Sequence, residues 1–187
     1  MKKLTLLGDS IRLLGYGTKV PELLKDEFEV YQPEDNCRFA KYTLRGVLSE
    51  WTKDIENSDI IHWNNGLWDI CDLGDGVFTS KEEYIENMVR IAKFLKQKAK
   101  TVIFATTTPV TNDHPHNDNS VIIEYNNAIV PILRDMGIII NDLHSYVYPH
   151  IDEYIREDDK IHLTDAGIDA CAEKVAEVIR EVAKCLE

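Results

Sequence analysis

The sequence has little cysteine. Its four residues of that type, Cys37, Cys71, Cys171 and Cys185, form no CxxC pair and no zinc-type spacing. Neither a disulfide framework nor a structural zinc site is therefore expected. Basic residues are also scarce: 21 Lys and Arg stand against 33 Asp and Glu, a formal charge of −12. A field of that sign repels phosphate backbones and argues against nucleic-acid binding through a basic face. No run approaches the ~20 apolar residues needed to cross a bilayer. The apolar stretch after Lys2 and Lys3 stops at Gly8, with no small-residue cleavage site behind it. Reduced thiols without a secretory signal give the expectation of a cytoplasmic protein. Repeats, low-complexity segments and a dividing linker are lacking too. The 187 residues match the ~100–200 of one domain, so 1–187 reads as a single unit.

What the chain does contain is alternation. Short, nearly continuous apolar runs at Lys3–Leu7, Phe28–Gln32, Asp59–Trp63, Thr101–Thr106 and Gly137–Asn141 have the pattern of parallel strands covered on both faces. Between and after them lie helical patterns at Val20–Glu27, Phe39–Ile55, Ser80–Lys98, Ser120–Met136 and Thr164–Leu186. The third opens on an N-cap residue and sets Tyr84, Met88, Ile91, Ala92 and Leu95 on one face. Five strand–helix repeats predict an α/β fold: a three-layer α/β/α sandwich around a five-stranded parallel sheet. In such folds ligands bind beyond the carboxyl ends of the strands.

The first strand ends in Gly8-Asp9-Ser10. Alone, this reads as a helix cap, since a serine hydroxyl is a poor nucleophile without a base. A base is available far along the chain. Asp158-Asp159-Lys160-Ile161-His162-Leu163-Thr164 precedes the last helix, and a three-residue spacing lets one tight turn aim Asp159 at the His162 ring. That contact fixes the tautomer able to take a proton from serine. Alone, DxxH reads as a surface turn before a Thr164 N-cap; the two motifs together carry more.

Gly-Asp-Ser after the first strand with Asp-x-x-His before the last helix resembles the SGNH (GDSL) hydrolase superfamily, and the likeness spans essentially the whole chain. It implies a flavodoxin-like sandwich with Ser10 as nucleophile, His162 as base and Asp159 as its orienting partner; Asp158 has the wrong spacing. It also implies an oxyanion hole built from the nucleophile's N–H, an N–H after the second strand and an asparagine after the third. After the second strand the chain reads Pro33-Glu34-Asp35-Asn36-Cys37-Arg38-Phe39. Here Cys37 falls where the family has glycine, and Asn36 is the residue better suited to positive φ. After the third it reads Trp63-Asn64-Asn65-Gly66-Leu67-Trp68-Asp69. Matching Gly66 to the family's Gly-x-Asn-Asp puts Trp68 at the asparagine. Asn65 is therefore the expected amide donor, with Asn64 second, although Asn-Asn-Gly is also a turn signal.

Other features read more plainly. Asp113-His114-Pro115-His116-Asn117-Asp118 looks like a metal cluster but sits in a polar loop, and His-x-His is weak evidence for zinc; no metal is expected. His62 lies within a strand pattern and reads as a hydrogen-bonded core or rim histidine. Trp63 and Trp68 read first as core packing, with Asn64 and Trp68 also candidates for touching substrate. Gly15-Tyr16-Gly17 is no dinucleotide fingerprint.

The expectation is a serine esterase or acylhydrolase, without cofactor, acting on a small-molecule ester through an acyl-enzyme. With so few residues outside the sandwich, small acyl groups such as acetyl esters of carbohydrates are preferred. The alternatives are a lysophospholipase or thioesterase, and an SGNH-like domain that binds a glycan or metabolite with little or no hydrolysis.

Overall fold

The computed structural model describes residues 1–186. Five strands, β1 (Lys2–Leu7), β2 (Phe28–Tyr31), β3 (Ser58–Trp63), β4 (Ala99–Ala105) and β5 (Ile139–Asn141), form one sheet. Its order is β2-β1-β3-β4-β5, and every pairing is parallel. The helices are α1 (Val20–Leu23), α2 (Ala40–Leu48), α3 (Lys81–Lys98), α4 (Asn119–Asp135), α5 (Leu143–Val147), α6 (Ile151–Tyr154) and α7 (Asp165–Lys184). The expected α/β architecture and flavodoxin-like strand order are observed.

The central strands are apolar throughout because both their faces are covered. Leu4, Leu6 and Leu7 of β1, Ile60, Ile61 and Trp63 of β3, and Val102, Ile103 and Phe104 of β4 are all buried. Each methylene withdrawn from water there contributes ~0.8 kcal/mol. The helices present matching stripes: Tyr84, Met88, Ile91, Ala92 and Leu95 from α3, and Cys171, Ala172, Val175, Ala176 and Ile179 from α7.

Two helices end well short of their sequence patterns, the first being α1, whose Val20–Glu27 pattern is helical only to Leu23. The pattern over Phe39–Ile55 is helical only to Leu48. Beyond it the chain folds back so that the Trp51 ring lies over Gly46, where a Cβ would fall 2.3 Å from the ring. Ser80 and Thr164 lie outside their helices as N-caps, their hydroxyls accepting the N–H of Glu83 and Gly167. Helices α5 and α6 are too short to display a 3.6-residue period, and the sequence pattern does not reveal them.

Candidate active site

The register of β1 against β3 pairs Leu7 with Trp63, so the chain leaves the two central strands side by side, at Gly8 and Asn64. The Asn64 N–H still donates to the Leu7 carbonyl at 3.2 Å. A Cβ on Gly8 would lie 1.9 Å from Asn64 Oδ1; glycine is needed here for room. Asp9 then turns the chain. Its Oδ1 accepts the Ile11 N–H at 2.9 Å, and its carbonyl accepts from Arg12 and Leu13. This opens a single wide helical turn, Ile11–Gly15, with Ser10 at its start. The Ser10 side chain is half-buried.

The second half of the site is a tight turn. Asp159 Oδ1 accepts the backbone N–H groups of Ile161 at 3.1 Å and His162 at 2.9 Å, while Oδ2 lies 2.9 Å from His162 Nδ1. The turn is closed by Lys160 at φ 65°, a left-handed conformation for a non-glycine residue. Burial works to raise the Asp159 carboxyl, but the two amide hydrogen bonds and the imidazole outweigh it and hold the group below its ordinary value. An ionised Asp159 can only accept, so Nδ1 carries the proton and Nε2 is left with its lone pair. Asp158 points elsewhere, to the Arg156 guanidinium. The whole turn is anchored: Arg156 N–H donates to the His162 carbonyl, and the Thr164 hydroxyl donates to Glu153 O at 2.7 Å.

Ser10 and His162 line one cleft of about 310 Å³, with Ile11, Leu14, Leu163 and Ile168 giving it aliphatic walls. Arg156 stands at the same cleft with its charge matched by Asp158. No hydrogen bond joins the Ser10 hydroxyl to the imidazole. Such contacts are often long in an unliganded site and tighten only around substrate.

The remaining predicted residues divide. The Cys37 N–H donates to the Gly8 carbonyl at 3.1 Å, and its sulfur receives the Gly8 N–H at 3.3 Å. Cys37 is therefore a clamp between the β1 and β2 ends, its amide occupied. Asn65 is fully buried, with Nδ2 donating to Arg38 O at 2.8 Å and Thr43 Oγ1 at 2.9 Å, and Oδ1 accepting from Trp63 Nε1 at 2.8 Å. Its amide is spent inside the fold. Asn64 differs. One Nδ2 hydrogen goes to Asp9 Oδ1 at 2.9 Å, Oδ1 accepts from the Tyr16 hydroxyl at 2.8 Å, and the second Nδ2 hydrogen is uncommitted. Trp63 is core, packed on Phe104, whereas Trp68 leaves 43% of its surface exposed.

Behind the site, His62 is wholly buried with Nε2 against Asn141 Nδ2 at 3.2 Å, and burial pushes it down to about 3. It is a neutral core histidine. In the 113–118 loop, His114 Nδ1 accepts the N–H groups of His116 and Asn117, His116 Nδ1 meets the Asp72 carbonyl, and Asp113 pairs with Lys160. These polar atoms hold the loop. Two contributors to the site escaped the sequence reading: Tyr16, and Arg12, whose buried guanidinium donates to the carbonyls of Gly8, Pro33 and Asp35. Both act through partners distant in the chain, and no local pattern announces them.

No protein-family model matches the chain, and no curated protein matches it in sequence. Solved structures do. A lipase/acylhydrolase from Enterococcus faecalis superposes with a TM-score of 0.78 at 20% identity, covering 97% of this chain and 96% of its own. Axe2, an acetylxylan esterase from Geobacillus stearothermophilus, superposes with a TM-score of 0.75 at 16% identity, covering 94% and 93%. A GDSL-like lipase from Bacteroides thetaiotaomicron gives 0.73 at 16%, covering 97% and 89%. The protein thus has the fold of the GDSL-type lipases, acylhydrolases and acetylxylan esterases, over nearly the full length of both partners.

Proposed function

We propose that the protein is a serine esterase that hydrolyses small, uncharged acyl esters through an acyl-enzyme. The observation that carries this reading is the Asp159–His162 pair, hydrogen-bonded at 2.9 Å, in the same cleft as Ser10 at the end of a central strand. The Ser10 hydroxyl attacks the ester carbonyl while His162 Nε2 takes its proton. The new Ser10–carbon bond places a negative charge on the former carbonyl oxygen. His162 then protonates the leaving alcohol as the carbon–oxygen bond breaks; water attacks the acyl-enzyme with the same imidazole as base, and the acid leaves as the Ser10–carbon bond breaks and the imidazole returns the proton to Ser10 Oγ.

The oxyanion needs donors that the fold has not already used. Ser10 N–H and the free Nδ2 hydrogen of Asn64 meet that condition; Cys37 N–H and Asn65 Nδ2 do not. The cleft's aliphatic wall, its Arg156 already paired with Asp158 and its Asp165 carboxylate favour uncharged over anionic acyl groups, and its modest volume favours short ones. The acetylxylan esterase among the similar structures makes acetylated sugars the first natural substrates to try.

A fluorophosphonate probe should label the protein stoichiometrically, and Ser10→Ala should abolish labelling with the fold intact. A series of p-nitrophenyl esters should favour acetate over octanoate; faster octanoate turnover overturns the short-chain preference. One observation favours a second reading, a binding domain without hydrolysis: two of the three expected oxyanion donors are occupied. A serine inert to the probe would establish that reading in place of the first.

A further inference from the structure

An amide can stabilise an oxyanion only if its NH2 end, and not its oxygen, faces the reacting carbon. Which way the Asn64 amide points is set by two neighbours. Asp9 Oδ1 already accepts the Ile11 N–H at 2.9 Å, so it presents an acceptor to Asn64 and draws Nδ2 toward itself at 2.9 Å. On the opposite side the Tyr16 hydroxyl gives its proton to Asn64 Oδ1 at 2.8 Å. Tyr16 is fully buried, its ring packed edge-on to His62 with centroids 5.5 Å apart. Burial, and then the nearby Asp9 charge, push its phenol far above the ordinary value. It is a permanent donor. Gly8 completes the arrangement, because any side chain there would collide with Asn64 Oδ1.

We infer that Tyr16 is a positioning residue: by donating to Asn64 Oδ1 it locks the amide with Nδ2 toward Asp9, leaving one hydrogen for the oxyanion. This rests on the esterase reading above and on Asn64 as donor. Without the Tyr16 hydroxyl, Asn64 Oδ1 is unpaired in a buried site, and rotation of the amide ceases to be opposed on that side. The loss falls on the transition state, since a ground-state ester carbonyl makes little demand on the donor.

The test is a double-mutant cycle on p-nitrophenyl acetate. Asn64→Ala should lower kcat by ~10²–10³. Tyr16→Phe should lower kcat by about tenfold, a fraction of that effect, with KM nearly unchanged. In the Asn64→Ala background, Tyr16→Phe should have no further effect, because the group it positions is gone. Additive effects, or a shift confined to KM, would overturn the inference and leave Tyr16 a structural residue. Circular dichroism checks each fold. Should Tyr16→Phe not fold, 3,5-difluorotyrosine at position 16 preserves the ring and strengthens the donor; an altered kcat at constant KM supports the role, and an unaltered kcat overturns it. A parent protein inert to ester and fluorophosphonate overturns the hydrolase reading itself. An active parent with a fully active Tyr16→Phe variant overturns only the role of Tyr16.

Discussion

Asp69 carries a buried carboxyl group held mainly by the N–H of Ala40, at 3.2 and 3.0 Å from its two oxygens. Burial pushes it up to about 7, against the Ala40 and Thr79 hydrogen bonds and with help from the Asp9 charge. In the unfolded chain the same group releases its proton near ~4. Between those values the folded state binds the extra proton, so the contribution of Asp69 to stability is fully present below about pH 4 and is lost as pH rises through about 7. Asp69→Asn should flatten the dependence of Tm on pH across that window, measured by thermal scans; an unchanged slope would assign it to another group. Asp159 has the opposite sign. Its carboxyl is held low, so its contribution is present above the unfolded value and is lost as pH falls through the lowered one. Asp159→Asn should cost ~10³–10⁴ in kcat through loss of the required tautomer, with KM little altered. The catalytic roles proposed for Ser10, Asp159 and His162 come from the family resemblance; among the contacts, the Asp159–His162 turn was legible from its three-residue spacing. The Tyr16–Asn64 contact was not, since it joins residues 48 apart through side-chain torsions.

At the scale of elements, α7 matters through its first residue outside. Thr164 caps the helix, receiving the Gly167 N–H at 3.1 Å, and its hydroxyl donates back to Glu153 O at 2.7 Å. Two residues earlier comes His162. Thr164→Ala should cost ~1 kcal/mol of stability, read from denaturant unfolding, and should lower kcat further than that loss alone predicts, because the 159–162 turn loses its downstream anchor. A drop in stability with full activity would show the turn to be self-supporting. Element identity was readable wherever a period extended far enough: α3, α4 and α7 appear within one or two residues of their expected ends. Helix α2 was overestimated because the apolar spacing continues through Trp51 and Ile55, which are buried from the following turns rather than from the helix. Periodicity reports which residues face inward, and a turn can satisfy that as well as a helix.

Across the whole molecule, the −12 charge and the cleft's single, neutralised arginine predict a substrate preference by charge. Values of kcat/KM for an anionic ester should rise with ionic strength as repulsion is screened, while those for a neutral acetate should stay flat; equal salt dependence would remove the charge argument. No helix of the described residues is long and apolar enough to cross a membrane. The sheet order was legible from the motif resemblance, and the strands from their apolar runs. The distribution of hydrogen bonds at their carboxyl ends was not, because it depends on how neighbouring loops share donors. The cysteines show what that sharing makes measurable. Cys185 is exposed, whereas Cys37 and Cys171 are buried, and burial pushes their thiols up to about 11 and about 12. Cys37 is also tied by both amide and sulfur to Gly8, two residues before Ser10. A thiol reagent should therefore consume Cys185 at once and Cys37 only when the loop holding Ser10 lifts from its neighbour, so the alkylation rate resolved at Cys37, separately from the half-buried Cys71 and the buried Cys171, is a clock for the opening of that loop in native protein.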